Sequence, residues 1–165
     1  MTLVPTNQYG LRFATKKDLD ILVHFNAALA WETEKRQLDL QRLRLGVQVV
    51  LDNPQHGFYV IAETKTGGQV VGQLLITFEW SDWRNGVMWW IQSAYVQEDC
   101  RRQGVFRMLY QHVLQEADTE NAVAGVRLYV EQDNLVAQRT YESLGLAKTP
   151  YQVYERDFVL IDNAE

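Results

Sequence analysis

Apolar positions in the first third of the chain recur at two different periods. Residues 9–13 form a short run suited to a strand. Leu19, Ile21, Leu22, Phe25 and Leu29 then fall at helical spacing. Thr15 precedes them as an N-cap, with Asp18 three residues on in place of the usual acid of a capping box. A second helix is predicted over 39–51, with Leu40, Leu43, Val47 and Val50 on one face. Residues 31–37, WETEKRQ, read as the polar connection between the two.

Strand chemistry follows. GFYVIAE (57–63) and QVVGQLLITFEW (69–80) flank the turn TKTGG, and SDWRNG (81–86) leads into VMWWIQSAYV (87–96). Three consecutive antiparallel strands are expected. A helix then runs to about residue 118, with Val105, Met108, Leu109, His112, Val113 and Ala117 as its stripe. GVRLYVE (125–131) is a strand. NLVAQRTYESLGL (134–146) is a helix opened by Asn134 and stopped by Gly145, and the tail YQVYERDFVL alternates as a last strand. The strand–helix–strand unit in the middle is expected to be parallel. The prediction is one α/β domain over 1–165: a mixed, mostly antiparallel sheet with one central parallel pair and helices on both faces.

Composition narrows the function. With a formal net charge of -5 the chain lacks the basic footprint of a nucleic-acid binder. Cys100 is the only cysteine, so no intrachain disulfide forms, which suits a cytoplasmic setting. His24, His56 and His112 are scattered, so no metal is expected. The first residues show no signal-peptide pattern, and no apolar stretch approaches the ~20 residues that span a membrane.

The chemistry gathers around two segments. In YVQEDCRRQGVFRML a strand ends at Val96 and a helix starts near Gly104. A helix start presents unpaired N–H groups, Arg101, Arg102 and Arg107 surround it with positive charge, and Gly104 leaves room for a ligand against backbone. In the second segment Asn134, Ala137 and Tyr141 share a helical face.

Together these segments resemble the GNAT superfamily of acetyl-CoA-dependent N-acetyltransferases. The family's Gln/Arg-x-x-Gly-x-Gly/Ala signature is matched by Arg101, Arg102, Gln103, Gly104 and Val105, and departs at Phe106. Its second signature, Asn-x-x-Ala-x-x-x-Tyr-x-x-x-Gly, is matched by Asn134, Ala137, Tyr141 and Gly145. The resemblance covers nearly the whole chain. It implies the acyl-CoA N-acyltransferase fold, with the parallel pair splayed around the cofactor. It implies that Arg102 to Arg107 hold the CoA pyrophosphate, that Ala94, Tyr95 and Val96 pair with the pantetheine arm, that Asn134 lies beside that arm, and that Tyr141 faces the sulfur. Phe106 is expected to contribute its N–H while its ring packs against Tyr110 and Leu114.

The implied reaction is direct attack of a primary amine of a small molecule or peptide on acetyl-CoA in a ternary complex, by a homodimer. Some family members carry a basic glutamate at a place that falls on Trp90 here, which cannot serve. Glu79 heads the candidates for the base, with Asp82, Glu131, Glu32 and Glu34 left open. Trp31, Glu32, Glu34, Trp80, Asp82 and Trp83 are expected to line an acceptor site whose aromatic walls and carboxylates suit a cationic amine. One of Trp89 and Trp90 must instead fill core, because adjacent strand residues point to opposite faces. The alternative reading is a non-catalytic acyl-CoA-binding module.

Overall fold

The computed structural model describes residues 8–160. Its strands are β1 (Tyr9–Phe13), β2 (Gly57–Thr64), β3 (Val70–Ser81), β4 (Gly86–Val96) and β5 (Val123–Leu128). Its helices are α1 (Leu19–Glu34), α2 (Leu40–Asp52), α3 (Val105–Thr119) and α4 (Leu135–Ser143). Two compact units divide the chain, Met1–Tyr129 and Val130–Glu165. No helix among the described residues is long and apolar enough to cross a membrane.

The first unit holds the whole sheet, in the order β1-β2-β3-β4-β5. All neighbours are antiparallel except β4 and β5, which are parallel and joined through α3. Strand alternation divides the core between two helical layers. On one face Tyr59 and Ile61 pack with Leu22 of α1 and Val47 of α2. On the other, Gly72 lies beneath α3, so close that a Cβ there would sit 3.2 Å from the Val105 side chain. The mixed sheet with helices on both faces is therefore as the sequence predicts.

β4 carries the feature that matters most. Leu75 of β3 stands opposite Ser93, but its neighbour Ile76 stands opposite Ile91, so Gln92 is an extra residue in β4. The parallel pairing with β5 ends just there, at Ile91 opposite Leu128. From Gln92 to Val96, β4 runs on with β3 as its only strand partner.

Four expectations change. α1 continues to Glu34, so Trp31, Glu32 and Glu34 are helical and only 35–39 connect the helices. Thr33 satisfies its hydroxyl on the Leu29 carbonyl, and the helix stops only where Lys35 turns left-handed at φ 55°. Leu40 is 60% exposed and not part of the buried face. It sits in the first turn of α2 and lines, with Trp31, Ala27, Arg36, Gln37 and Leu38, a cavity of about 380 Å³. β5 ends at Leu128, because β4 has diverged and the ladder has no partner to continue on. The alternating tail forms no strand over 151–160. Alternation says which residues would share a face but supplies no hydrogen-bonding neighbour, and the second unit contains no strand among its described residues.

The start of α1 is pinned by a buried carboxylate. Asp18 takes two hydrogen bonds of 2.9 Å from the Arg12 guanidinium and one of 2.7 Å from the Thr15 N–H, and Thr15 closes the predicted capping box. Arg12 also pairs with Glu63 of β2 at 2.9 Å. The Arg12 hydrogen bonds hold the Asp18 carboxyl below the usual carboxylate range. With a lowered folded pKa, this contribution is fully present above about pH 3.9 and is lost as pH falls through the folded value. Asp18→Asn is expected to cost about 1–2 kcal/mol at pH 7, the range of a cap and a partly solvated pair. In urea melts, the gap between variant and parent should close below pH 4.

Candidate active site

Loop 97–104 is built by short-range hydrogen bonds that leave a helix start exposed. Cys100 donates to the Gln97 carbonyl and Arg101 to that of Glu98, forming a 3₁₀ turn. The backbone then turns left-handed twice, at Arg102 (φ 61°) and Gly104 (φ 83°). Gly104 is the N-cap of α3 and has no side chain with which to satisfy the N–H groups of the first turn. Only a glycine takes this φ without strain, so the residue that leaves the helix start without a side-chain cap is also the one the backbone requires. Arg102 and Arg107 are exposed and make no ion pair among the described residues. The Phe106 ring stacks on Tyr110, 6.3 Å between centroids and 16° from parallel.

Gln103 has a different occupation. Its Oε1 accepts from the Tyr9 hydroxyl at 2.7 Å and from Gln8 Nε2 at 3.0 Å, and its Nε2 donates to the Asp99 carbonyl at 2.7 Å. Its side chain ties the loop to β1.

The open edge of β4 adjoins this loop. Gln97 donates to the Val71 carbonyl at 2.9 Å. Antiparallel alternation then points Ser93 and Tyr95 toward β3, and turns the backbone groups of Ala94 and Val96 toward the space that β5 has left. The Val96 carbonyl accepts from Arg101 Nε at 2.8 Å. Arg101 also pairs through Nη2 with Glu32 of α1 at 2.6 Å and lies 5.4 Å over the Tyr95 ring. The Tyr95 hydroxyl donates to the other Glu32 oxygen at 3.0 Å. Burial, and then the Glu32 carboxylate, push the Tyr95 phenol above its ordinary value. Arg101 thus bridges α1 and β4.

A second cluster surrounds the parting point. Trp89 is 6% exposed and packs against Phe58 on the α3 face, so it is the core member of the pair. Trp90 takes the other face, where its Nε1 donates to Glu79 Oε2 at 2.5 Å. Arg127 of β5 donates to Glu79 Oε1 at 3.1 Å and lies 5.8 Å over the Trp90 ring. Tyr129 stacks on Trp90 with centroids 4.5 Å apart. Arg127 and Tyr129 were not singled out in the sequence. Their i, i+2 spacing puts them on one face, but only the register Trp90↔Arg127 brings that face to Glu79.

The remaining residues expected to line an acceptor site are distributed. Glu34 pairs with Arg36 at 3.4 Å, and Trp31 carries Lys35 over its ring at 5.9 Å. Trp80, Asp82 and Trp83 belong to the β3–β4 hairpin end, at the opposite end of β4 from loop 97–104 and about 17 Å short of the parting point by strand rise. Trp83 is 87% exposed, and Asp82 accepts its N–H.

In the second unit Asn134 caps α4, its side-chain oxygen accepting the Ala137 N–H at 3.0 Å. Gly145 follows the helix at φ 92°. Burial raises the Tyr141 phenol above its ordinary value. Glu131 lies just ahead of this helix. Among the described residues no three of His, Cys, Asp and Glu are grouped to hold a metal ion.

The sequence model of the acetyltransferase (GNAT) family matches residues 22–146. A solved structure described as a possible acetyltransferase, from Clostridium difficile 630, is 39% identical and superposes with a TM-score of 0.84, covering 92% of this chain and 99% of its own. A transcriptional regulator from Bacillus halodurans C-125 is similar at 22% identity and TM-score 0.74, over 91% of this chain and 99% of its own. The aminoglycoside N-acetyltransferase AAC(6')-Iy, solved with CoA, shares the fold at 16% identity and TM-score 0.75, over 95% of this chain and 100% of its own. No curated protein matches the chain.

Proposed function

Because the chain belongs to the acetyltransferase (GNAT) family, we propose that it transfers an acetyl group from acetyl-CoA to a primary amine of a small molecule or peptide. The observation that carries this reading is the parting of β4 from β5 at Gln92, beside the uncapped start of α3. The residues present fit the cofactor: outward backbone groups at Ala94 and Val96, left-handed turns at Arg102 and Gly104, and two unpaired arginines beside an exposed helix N-terminus. Arg102, Gly104, Val105, Phe106 and Arg107 would hold the pyrophosphate, and Ala94, Tyr95 and Val96 the pantetheine arm. Arg101 and Gln103 support the cradle through the contacts that fix its loop.

When bound, acetyl-CoA supplies an activated acetyl thioester. The protein's part is to place an amine, take a proton from it and provide donors. The Ala94 and Val96 N–H groups face the gap, where they can donate to a carbonyl oxygen. Keeping a lysine-like amine neutral at pH 7 costs about 4–5 kcal/mol, so a carboxylate must take the proton, directly or through water. Glu79, whose side chain reaches Trp90 next to the parting point, is the candidate for that. Tyr141, marked by the family's second signature, keeps its proton at neutral pH and is assigned the donation to the leaving sulfur. Asn134 and Ala137 belong with it in the helix that this signature defines.

A second reading, a non-catalytic acyl-CoA-binding module, draws on one observation: both Glu79 oxygens already accept hydrogen bonds, from Trp90 and Arg127. An acceptor screen that follows thiol release separates the two readings. In the enzyme, Tyr141→Phe is expected to lower kcat about a hundredfold with CoA affinity retained. Its alkaline rate limb should lie above pH 10, because burial raises the phenol. Gly104→Val should remove CoA binding in calorimetry, whereas Phe106→Ala should leave affinity in place and lower stability by about 1–2 kcal/mol, as for a half-buried ring. Strong loss of affinity in Phe106→Ala with none in Gly104→Val would refute the placement of the cradle.

A further inference from the structure

Three of the carboxylates considered for a cationic amine, and the ring of Trp31, are engaged by the protein's own cations. Glu32 pairs with Arg101 at 2.6 Å, Glu34 with Arg36 at 3.4 Å and Glu79 with Arg127 at 3.1 Å. Lys35 lies over Trp31, Arg101 over Tyr95 and Arg127 over Trp90. A polycation entering beside Glu32, Glu34 or Glu79 would meet an arginine at each carboxylate; Trp80, Asp82 and Trp83 carry no such cation among the described residues but lie away at the hairpin end. To displace one, it would leave that cation uncompensated beside its own charge.

Next to the parting point the charges instead form a dipole. Arg127 spends only Nη1 on Glu79, and its remaining N–H groups make no hydrogen bond among the described residues. A guanidinium edge of this kind matches a carboxylate. Tyr129, 53% exposed, adds an open aromatic face to the same cluster.

We propose, building on the acetyl-transfer reading above, that the acceptor is an amino-acid-like monoamine that carries its own carboxylate. Its two charges sit on one carbon, so it can lie head to tail along the Glu79–Arg127 pair without breaking it. The amine meets Glu79, the carboxylate meets the free edge of Arg127, and an aromatic side group rests on Tyr129. Arg127 is then a specificity residue that discriminates for the carboxylate and against a second positive charge.

The test compares L-phenylalanine, phenylalaninamide and spermidine on the full-length protein. Thiol release reports turnover, calorimetry on the CoA-loaded protein reports acceptor binding, and CoA binding is measured separately. Phenylalanine should bind and turn over roughly tenfold or more better than its amide, the size of one charge-assisted hydrogen bond, and spermidine should be the poorest of the three. Arg127→Gln should bring the ratio of KM for the amide to KM for phenylalanine down to about one, and Arg127→Lys should restore part of the preference. Preference for spermidine, or an acid-to-amide ratio unmoved by Arg127→Gln, overturns the proposal while the acetyl-transfer reading stands. Absence of CoA binding sinks that reading instead. Phenylalanine binding is then read by quenching of tryptophan fluorescence against the amide, and no difference between them overturns this proposal as well.

Discussion

The site depends on one backbone constraint, the extra residue at Gln92 of β4. A parallel pair of strands hydrogen-bonded along its full length has nowhere to admit a third chain-like group. The insertion of one residue rotates the following stretch, and the ladder with β5 ends at Ile91 and Leu128. Everything proposed for the cofactor follows from the stretch thus freed, since Ala94 and Val96 have backbone groups and no strand to give them to. The α3 start stands beside it because a parallel crossover must leave β4 at its C-terminal end and return to β5.

The freed stretch and the strand beside it also enclose polar side chains. Ser93 Oγ and both side-chain polar atoms of Gln73, opposite Tyr95, are buried without a partner among the described residues. Orphaned groups of this kind cost about 1–3 kcal/mol each. Part of the exposed edge is met locally: Arg101 donates to the Val96 carbonyl while its other end holds Glu32 on α1. A carbonyl has two lone pairs, so this bond leaves one for a further donor. Arg101 therefore braces the edge and need not compete with what pairs to it.

The elements and their order were legible because periodicity and caps are local: the capping box at Thr15 and Asp18, the Asn134 cap and the left-handed Gly104 all occur where the residue types predict. The signatures around Gly104 and Tyr141 made the family legible too. Less legible was anything set by register. Arg127 and Tyr129 are unremarkable within GVRLYVE, and only pairing with β4 brings them to Glu79. The reach of α1 to Glu34 was missed because a polar helix end and a polar loop share a composition, and the stop at Lys35 is a backbone turn in a residue that rarely takes one. The tail was over-read for the opposite reason: an alternating pattern is necessary for a half-buried strand but does not create its partner.

A shared scaffold constrains the two ends of the reaction unequally. The acyl-donor end proposed above would use backbone groups of β4 and α3, which any sequence with this bulge and this glycine presents. The acceptor end uses side chains, and these vary freely on the same backbone. Resemblance to an aminoglycoside N-acetyltransferase at 16% identity is a resemblance of fold and says nothing of the acceptor. What decides the acceptor is the charge balance of this chain. Counting its carboxylates alone suggests a site for cations, whereas Glu32, Glu34 and Glu79 are each already paired with an arginine. On the acceptor proposed above, selectivity for an amine would come from the geometry of a single Glu–Arg pair beside the parting point, where a ligand of matching dipole gains two contacts and a pure cation gains one and suffers one repulsion.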